Sequence, residues 1–243
     1  MIPGRGHTMT DTDLTFYGHR TDALDAQRVV NAFKAAALAT SRDATFPILN
    51  VVRVELQRAN DGSTSLHLLS SDRYRAAHVV VTGLWSKPGI RRASTLGGAP
   101  DGEPYAVRYI HRDAIAALAR WKPSKKSTTW TLTLGEESLS MGTDGVPNAV
   151  TVPVLGHPNR NVPSDVYPDL RPLFSGEYTG EAGAPRLNPK YLEDGCKGAR
   201  LIRDKNAIVD MRFTAPGKPV TMVAETHEGD ARWTYIIMPI RVA

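Results

Sequence analysis

One order of elements returns three times along this chain of 243 residues: a short strand, a helix, then strands rich in apolar residues. In the first copy residues 14–17 read as the short strand and 24–38 as the helix. Its positions Ala26, Val29, Val30, Phe33, Ala36 and Ala37 follow the i, i+3, i+4, i+7 pattern of one buried face. Strands are expected near 48–57, 65–70 and 78–82. The second copy has a strand at 105–109, a helix at 112–121 with Ala114, Ile115 and Leu118 inward, and strands near 128–134, 138–141 and 149–154. The third lacks a clear first strand. It opens on Asn188 as helix cap with Pro189 at the first helical position, a favoured start. Gly195 and Gly198 predict a weak helix, at about 1 kcal/mol each against Ala. Strands near 207–213, 220–225 and 233–238 follow. Helices followed by hairpin-connected strands indicate an α+β fold with antiparallel sheets.

This divides the chain into a loose tail at 1–13, a two-unit domain at 14–155, a Pro- and Gly-rich linker at 156–185 with neither period, and a lone third unit at 186–243. Composition is that of a globular protein, 41% hydrophobic and 23% charged. The single Cys196 excludes an internal disulfide and a cysteine zinc cluster, so a reducing cytoplasm is the expected setting. No apolar run reaches bilayer length and no signal sequence is seen, so no membrane partner is expected. Net charge is +5, which suits a polyanionic partner. Basic residues gather at Arg91-Arg92, from Lys122 to Lys126 and from Lys197 to Lys205.

Enzymatic signals are poor. The seven histidines show no HxH or HxxxH spacing, and there is no Walker loop, GxSxG or GxGxxG. No catalytic residue, metal or cofactor is expected. The helices carry a stronger signal. With apolar stripes turned inward, the first presents Arg28, Asn31, Ala32 and Ala35, with Lys34 on the flank. The second presents Arg112, Asp113, Ala116 and Arg120, and the third Lys190, Glu193 and Lys197. Small residues punctuated by cations suit a wall along which a duplex passes, attracting phosphates without reading bases. An ordinary solvated face has the same composition.

Four segments carry a resemblance. The last ten residues, Thr234-Tyr235-Ile236-Ile237-Met238-Pro239-Ile240-Arg241-Val242-Ala243, read as a buried strand running into the chain's end. Ser71-Asp72-Arg73-Tyr74-Arg75-Ala76 closes a strand pair joined at Asn60-Asp61-Gly62. Tyr167-Pro168-Asp169-Leu170-Arg171 lies in the linker, and Leu187-Asn188-Pro189-Lys190-Tyr191-Leu192 opens the third helix. In this order they resemble the bacterial sliding clamp family, the β subunit of DNA polymerase III. The resemblance implies a DNA-clamp fold of βαβββ half-units, with antiparallel sheets outside and helices lining a central hole. It also implies a non-catalytic processivity factor in the cytoplasm, at the nucleoid, with duplex DNA, a polymerase, a clamp loader and other copies of itself as partners. The DNA-facing set would be Arg28, Lys34, Arg112, Arg120, Lys122, Lys190 and Lys197.

Carried over position by position, the family's peptide pocket would comprise Leu49, Ser71, Arg73, Tyr74, Arg75 and Ala76 from the first unit. Pro168 and Leu173 would come from the linker, and Asn188 and Tyr191 from the third helix. Val220, Ile236, Ile237, Met238, Pro239, Ile240 and Arg241 would come from the last strands. Departures fall at Ala76, where the family has Leu, at Pro172, where it has Arg, and at Arg73 and Tyr74, where smaller or imidazole side chains are usual. The size departs as well. Three half-units are found where the family's chain has six, so a ring of twelve would need four chains, or three if the linker held a fourth unit. A two-fold dimer pairing the lone third units would make half of such a ring. A shortened form suits a phage or mobile element. Two rival functions remain at this point: a decoy that keeps the pocket without forming a ring, and a DNA-modifying enzyme, which would need an acidic metal cluster.

Overall fold

The computed structural model describes residues 14–19, 26–58, 63–86, 104, 106–122, 129–143, 146–155, 167–175, 185–215 and 217–240. The tail 1–13, the Asn60-Asp61-Gly62 turn, Arg91-Arg92, most of the linker and Arg241 lie outside them. Eleven antiparallel strands form one hydrogen-bonded network among the described residues.

Strands β2 (Val51–Arg58), β3 (Thr64–Ser71) and β4 (Arg75–Ser86) form a meander, preceded by helix α1 (Ala26–Ala37) and a 3-10 turn at Pro47–Leu49. Strands β6 (Thr129–Leu134), β7 (Ser138–Thr143) and β8 (Val146–Pro153) form a second, preceded by helix α2 (Arg112–Leu118). Each half-unit lends its first strand to the other. Strand β1 (Leu14–His19) lies beside β6, and β5 (Ala106–His111) lies beside β2. The exchange is reciprocal, and it makes the two half-units one body.

Strand β4 joins everything. Beyond β3, its residues Arg75–Val81 pair with β11 (Ala231–Ile237), and Trp85 and Ser86 pair with β1. Between these stretches Gly83 adopts φ +82°, and the register against β3 shifts there. A left-handed residue costs glycine little and bends the strand from one sheet into the other. Beyond β11 lie β10 (Val220–Glu225) and the four-residue β9 (Asp210–Phe213), shorter than the 207–213 expected.

Helices α1 and α2 and the long α4 (Pro189–Ile202) cover the sheets, and α1 packs against α4. That contact corrects the expected outward face of α1: Ala32 and Ala35 are fully buried. Methyl-sized side chains there let the two helices approach closely. The reading of α4 as weak is corrected too. A Cβ on Gly198 would stand 2.5 Å from the Trp233 indole, and one on Gly195 would stand 2.7 Å from Met222 Sδ. These glycines are contact points that seat the helix on β10 and β11. The linker also holds more order than its composition suggested. Helix α3 (Arg171–Phe174) packs on β11, while Tyr167 and Leu170 are buried with Val51, Leu69 and Tyr109.

Gly198→Ala should destabilise the fold by about 1–3 kcal/mol, because a rigid indole must move, and this outweighs the gain in helix propensity. Gly195→Ala should cost less, since the flexible Met222 thioether can shift. Urea unfolding midpoints of the two variants rank them directly.

Candidate partner-peptide surface

The turn between β3 and β4 holds itself together. Ser71 Oγ accepts the Arg73 amide at 3.1 Å and donates to the Arg75 carbonyl at 2.9 Å. Asp72 Oδ1 accepts the amides of Tyr74 at 3.0 Å and Arg75 at 3.1 Å. This capping holds Arg73 at φ 80°, a conformation most side chains avoid. Its guanidinium lies 4.0 Å from the Phe46 ring centroid, and its neighbour Tyr74 stacks on Tyr191 of α4.

Arg75 ties the turn to the third half-unit. It donates to Asp72 Oδ2 at 2.8 Å, to Asp194 Oδ2 of α4 at 2.6 Å and to the Tyr235 hydroxyl of β11 at 3.2 Å, and its guanidinium lies over the Tyr191 ring. Burial works against its charge, but Tyr235, Asp194 and Asp72 outweigh burial and raise its pKa. Asp194 is buried and also receives Lys190 Nζ at 3.3 Å. Buried charges are tolerated when paired this fully. Nε and Nη1 of Arg75 are thus engaged within the protein, where they tie the turn to α4 and β11.

The end of β11 lies directly on this turn. The Met238 amide donates to the Tyr74 carbonyl at 2.8 Å, and the Ile240 amide donates to the Arg186 carbonyl at 2.8 Å. Among the described residues six large hydrophobic side chains are exposed: Tyr74, Leu173, Ile208, Met211, Met238 and Ile240. Four of the six belong to the pocket set read from the sequence. The remainder of that set divides by depth. Leu49, Ser71, Ala76, Val220, Ile236 and Ile237 are buried beneath the surface, and Pro168 is exposed on the linker. Asn188 caps α4, accepting the Lys190 amide at 2.9 Å, and Pro239 is half-buried.

Behind Leu173 the linker rests on a polar cluster that sequence patterns did not reveal. His67 Nδ1 and His78 Nε2 are 3.0 Å apart, Ser65 Oγ is 3.0 Å from His67 Nε2, and Phe174 packs on His78. Arg171 donates to the buried Glu55 at 3.0 Å. Burial lowers the His67 pKa to about 4 and the His78 pKa to about 3. The two histidines alternate with apolar residues in the same way as surface positions do, so the strand pattern alone gives no sign of the pair.

The cations assigned to a DNA face are placed unequally. Arg28 pairs with Asp230 and Glu228 of the β10–β11 turn, and Arg112 donates to the Ser41 carbonyl at 2.8 Å. Lys190 and Lys197 pair with Glu193 of their own helix, Lys197 at 2.6 Å. Lys34 is half-exposed, while Arg120 and Lys122 are exposed after α2. Among the described residues no group of three or more His, Cys, Asp or Glu is arranged to hold a metal, and no helix is long and apolar enough to cross a membrane.

This architecture is the α+β fold of the DNA sliding clamps. The DNA polymerase III β chain of Streptococcus pneumoniae superposes with a TM-score of 0.62 at 13% identity, covering 99% of this chain and 67% of that one. The Thermotoga maritima β subunit gives 0.55 at 15%, covering 99% and 69%. A. fulgidus PCNA, solved with the C-terminal region of FEN-1 bound, gives 0.53 at 12%, covering 95% and 99%. No family model matches the sequence, and no curated protein does. At such identity the likeness defines the fold.

The histidine pair sets a pH dependence. Both pKa values are depressed in the folded state, so below the unfolded value of about 6.5 the unfolded chain binds more protons. Stability should therefore be full above that pH and fall steadily as pH drops through 6 and 5 toward 4. Replacing both histidines by Gln should flatten this part of a melting-temperature profile.

Proposed function

We propose that this chain is a shortened DNA sliding clamp, a non-catalytic processivity factor that holds partner proteins on duplex DNA without reading sequence. The observation that carries the proposal is the exposure of Tyr74, Met238 and Ile240 where the chain's last strand meets the Asp72–Ala76 turn, with Leu173 exposed on α3, which packs on β11. Exposed apolar groups gathered on a fixed backbone suit an extended peptide with hydrophobic anchors. The partners would be a polymerase and a loader carrying short linear motifs, and the working form a homo-oligomeric ring in the cytoplasm, on the nucleoid or on phage DNA. Arg241 would lie at the edge of the same surface. Arg120, Lys122 and Lys34 would be the cations that meet phosphates, since Lys190 and Lys197 are paired with Glu193.

A peptide with Gln followed by Leu and Phe anchors should bind, and Met238→Ala should weaken it by about 1–2 kcal/mol through lost apolar contact. Deleting residues 240–243 should do the same with the fold intact. Fluorescence anisotropy of a labelled peptide measures both. Equal binding by parent and variants, or none by the parent, would remove the peptide reading.

DNA binding should be weak, indifferent to sequence and steeply weakened by salt, since each neutralised phosphate releases counterion. Changing Arg120 and Lys122 together to Glu should lower affinity for every duplex alike. Binding that survives high salt, or follows base sequence, would contradict a sliding surface.

A further inference from the structure

Among the described residues Arg73 alone, glycines aside, holds the left-handed conformation, at φ 80°. Glycine would take this backbone at little cost, whereas a side chain resists it. An arginine kept where glycine would fit better points to work done by its side chain. That side chain is positioned. Its guanidinium lies 4.0 Å from the Phe46 ring centroid and 5.7 Å from that of Tyr74. Arg73 is exposed, and among the described residues its guanidinium makes no hydrogen bond or ion pair. The acids around the turn are engaged elsewhere. Asp72 and Asp194 are bound to Arg75. Asp43 feels the charge of Arg73 but accepts the Thr45 amide at 2.9 Å. The neighbouring Tyr74 is exposed, and its carbonyl accepts the Met238 amide. A peptide lying across Tyr74 and Met238 therefore passes within reach of an unpaired cation.

We propose that Arg73 selects partner peptides that carry an acidic side chain beside their apolar anchors. The inference rests on the peptide reading above and adds the charge that such a peptide must carry. Stacking occupies the face of a guanidinium and leaves its N–H edge for a carboxylate, which can accept two parallel hydrogen bonds. Aromatic rings against the guanidinium also reduce the freedom it loses on binding. A lysine at the same place in the peptide would meet like charge, so the preference has a sign. Arg75 cannot supply it in the same way, because its Nε and Nη1 are already held by Asp72, Asp194 and Tyr235.

The test is a set of labelled peptides with the Gln, Leu and Phe anchors, each carrying a single Glu in place of Gln at one of the other positions. By fluorescence anisotropy, one position should bind the full chain about threefold to tenfold tighter than the uncharged peptide, the range for a partly exposed guanidinium–carboxylate contact. Arg73→Gly should abolish the gain at that position. Glycine suits the backbone there, so the turn persists in this variant. Arg73→Glu should reverse the preference, so that Lys at the same position binds tighter than Glu. A parent chain that gains from Glu at no position, or a gain that survives Arg73→Gly, would overturn the assignment while leaving the peptide surface standing. A parent that binds none of the peptides would remove both.

Discussion

The antiparallel pairing of β4 with β11 is the contact on which the rest of the molecule depends. It runs from Arg75 opposite Ile237 to Val81 opposite Ala231 and fuses a lone half-unit to a complete two-unit domain. A half-unit of this size has too little core to stand alone. It gains one from α1, which packs against α4, and from the network of hydrogen-bonded backbone across β4. Gly83 allows the same strand to serve both sheets. Arg75 then fastens the junction from the side, with Asp72 on the turn, Asp194 on the helix and Tyr235 on the last strand all bound to one guanidinium.

The candidate surface is a product of that junction. Segments more than 160 positions apart meet because β4 and β11 are neighbours, and the amide of Met238 hydrogen-bonds to the carbonyl of Tyr74 where the pairing ends. Apolar side chains at the last turns of a sheet normally fold back into a core. Here Tyr74, Met238 and Ile240 stay exposed while their neighbours Ile236, Ile237 and Val220 are buried. The backbone beneath these side chains is held by the β4–β11 pairing and the Met238–Tyr74 hydrogen bond, so a peptide bound as proposed would meet a surface with little left to order.

Much of this was legible in the sequence, and the parts that were not share a physical cause. The positions of the helices and most strands follow from patterns that local chemistry imposes, such as apolar runs and a capping Asn188, whereas the convergence of the Asp72–Ala76 and C-terminal segments was implied by the family resemblance. Burial decided by a distant neighbour leaves no local trace. Ala32 and Ala35 look like solvent positions in their own helix yet are fully buried, and Gly195 and Gly198 look like helix breakers until Met222 and Trp233 are seen against them. The linker hid α3 because one helical turn is too short to show a period. Arg28 reads as a phosphate-facing cation in its own helix, yet its partners Asp230 and Glu228 lie in a turn 200 residues later.

The central claim is that the end of the chain and the Asp72–Ala76 turn form one peptide-capture surface. Methyl NMR on a chain labelled at methionine tests it most directly, because Met238 lies on the proposed surface and Met222 is buried under α4. Titration with a Gln, Leu and Phe motif peptide should move the Met238 methyl resonance saturably and leave that of Met222 in place. A Met238 resonance that stays fixed while peptide is added to excess would contradict the account.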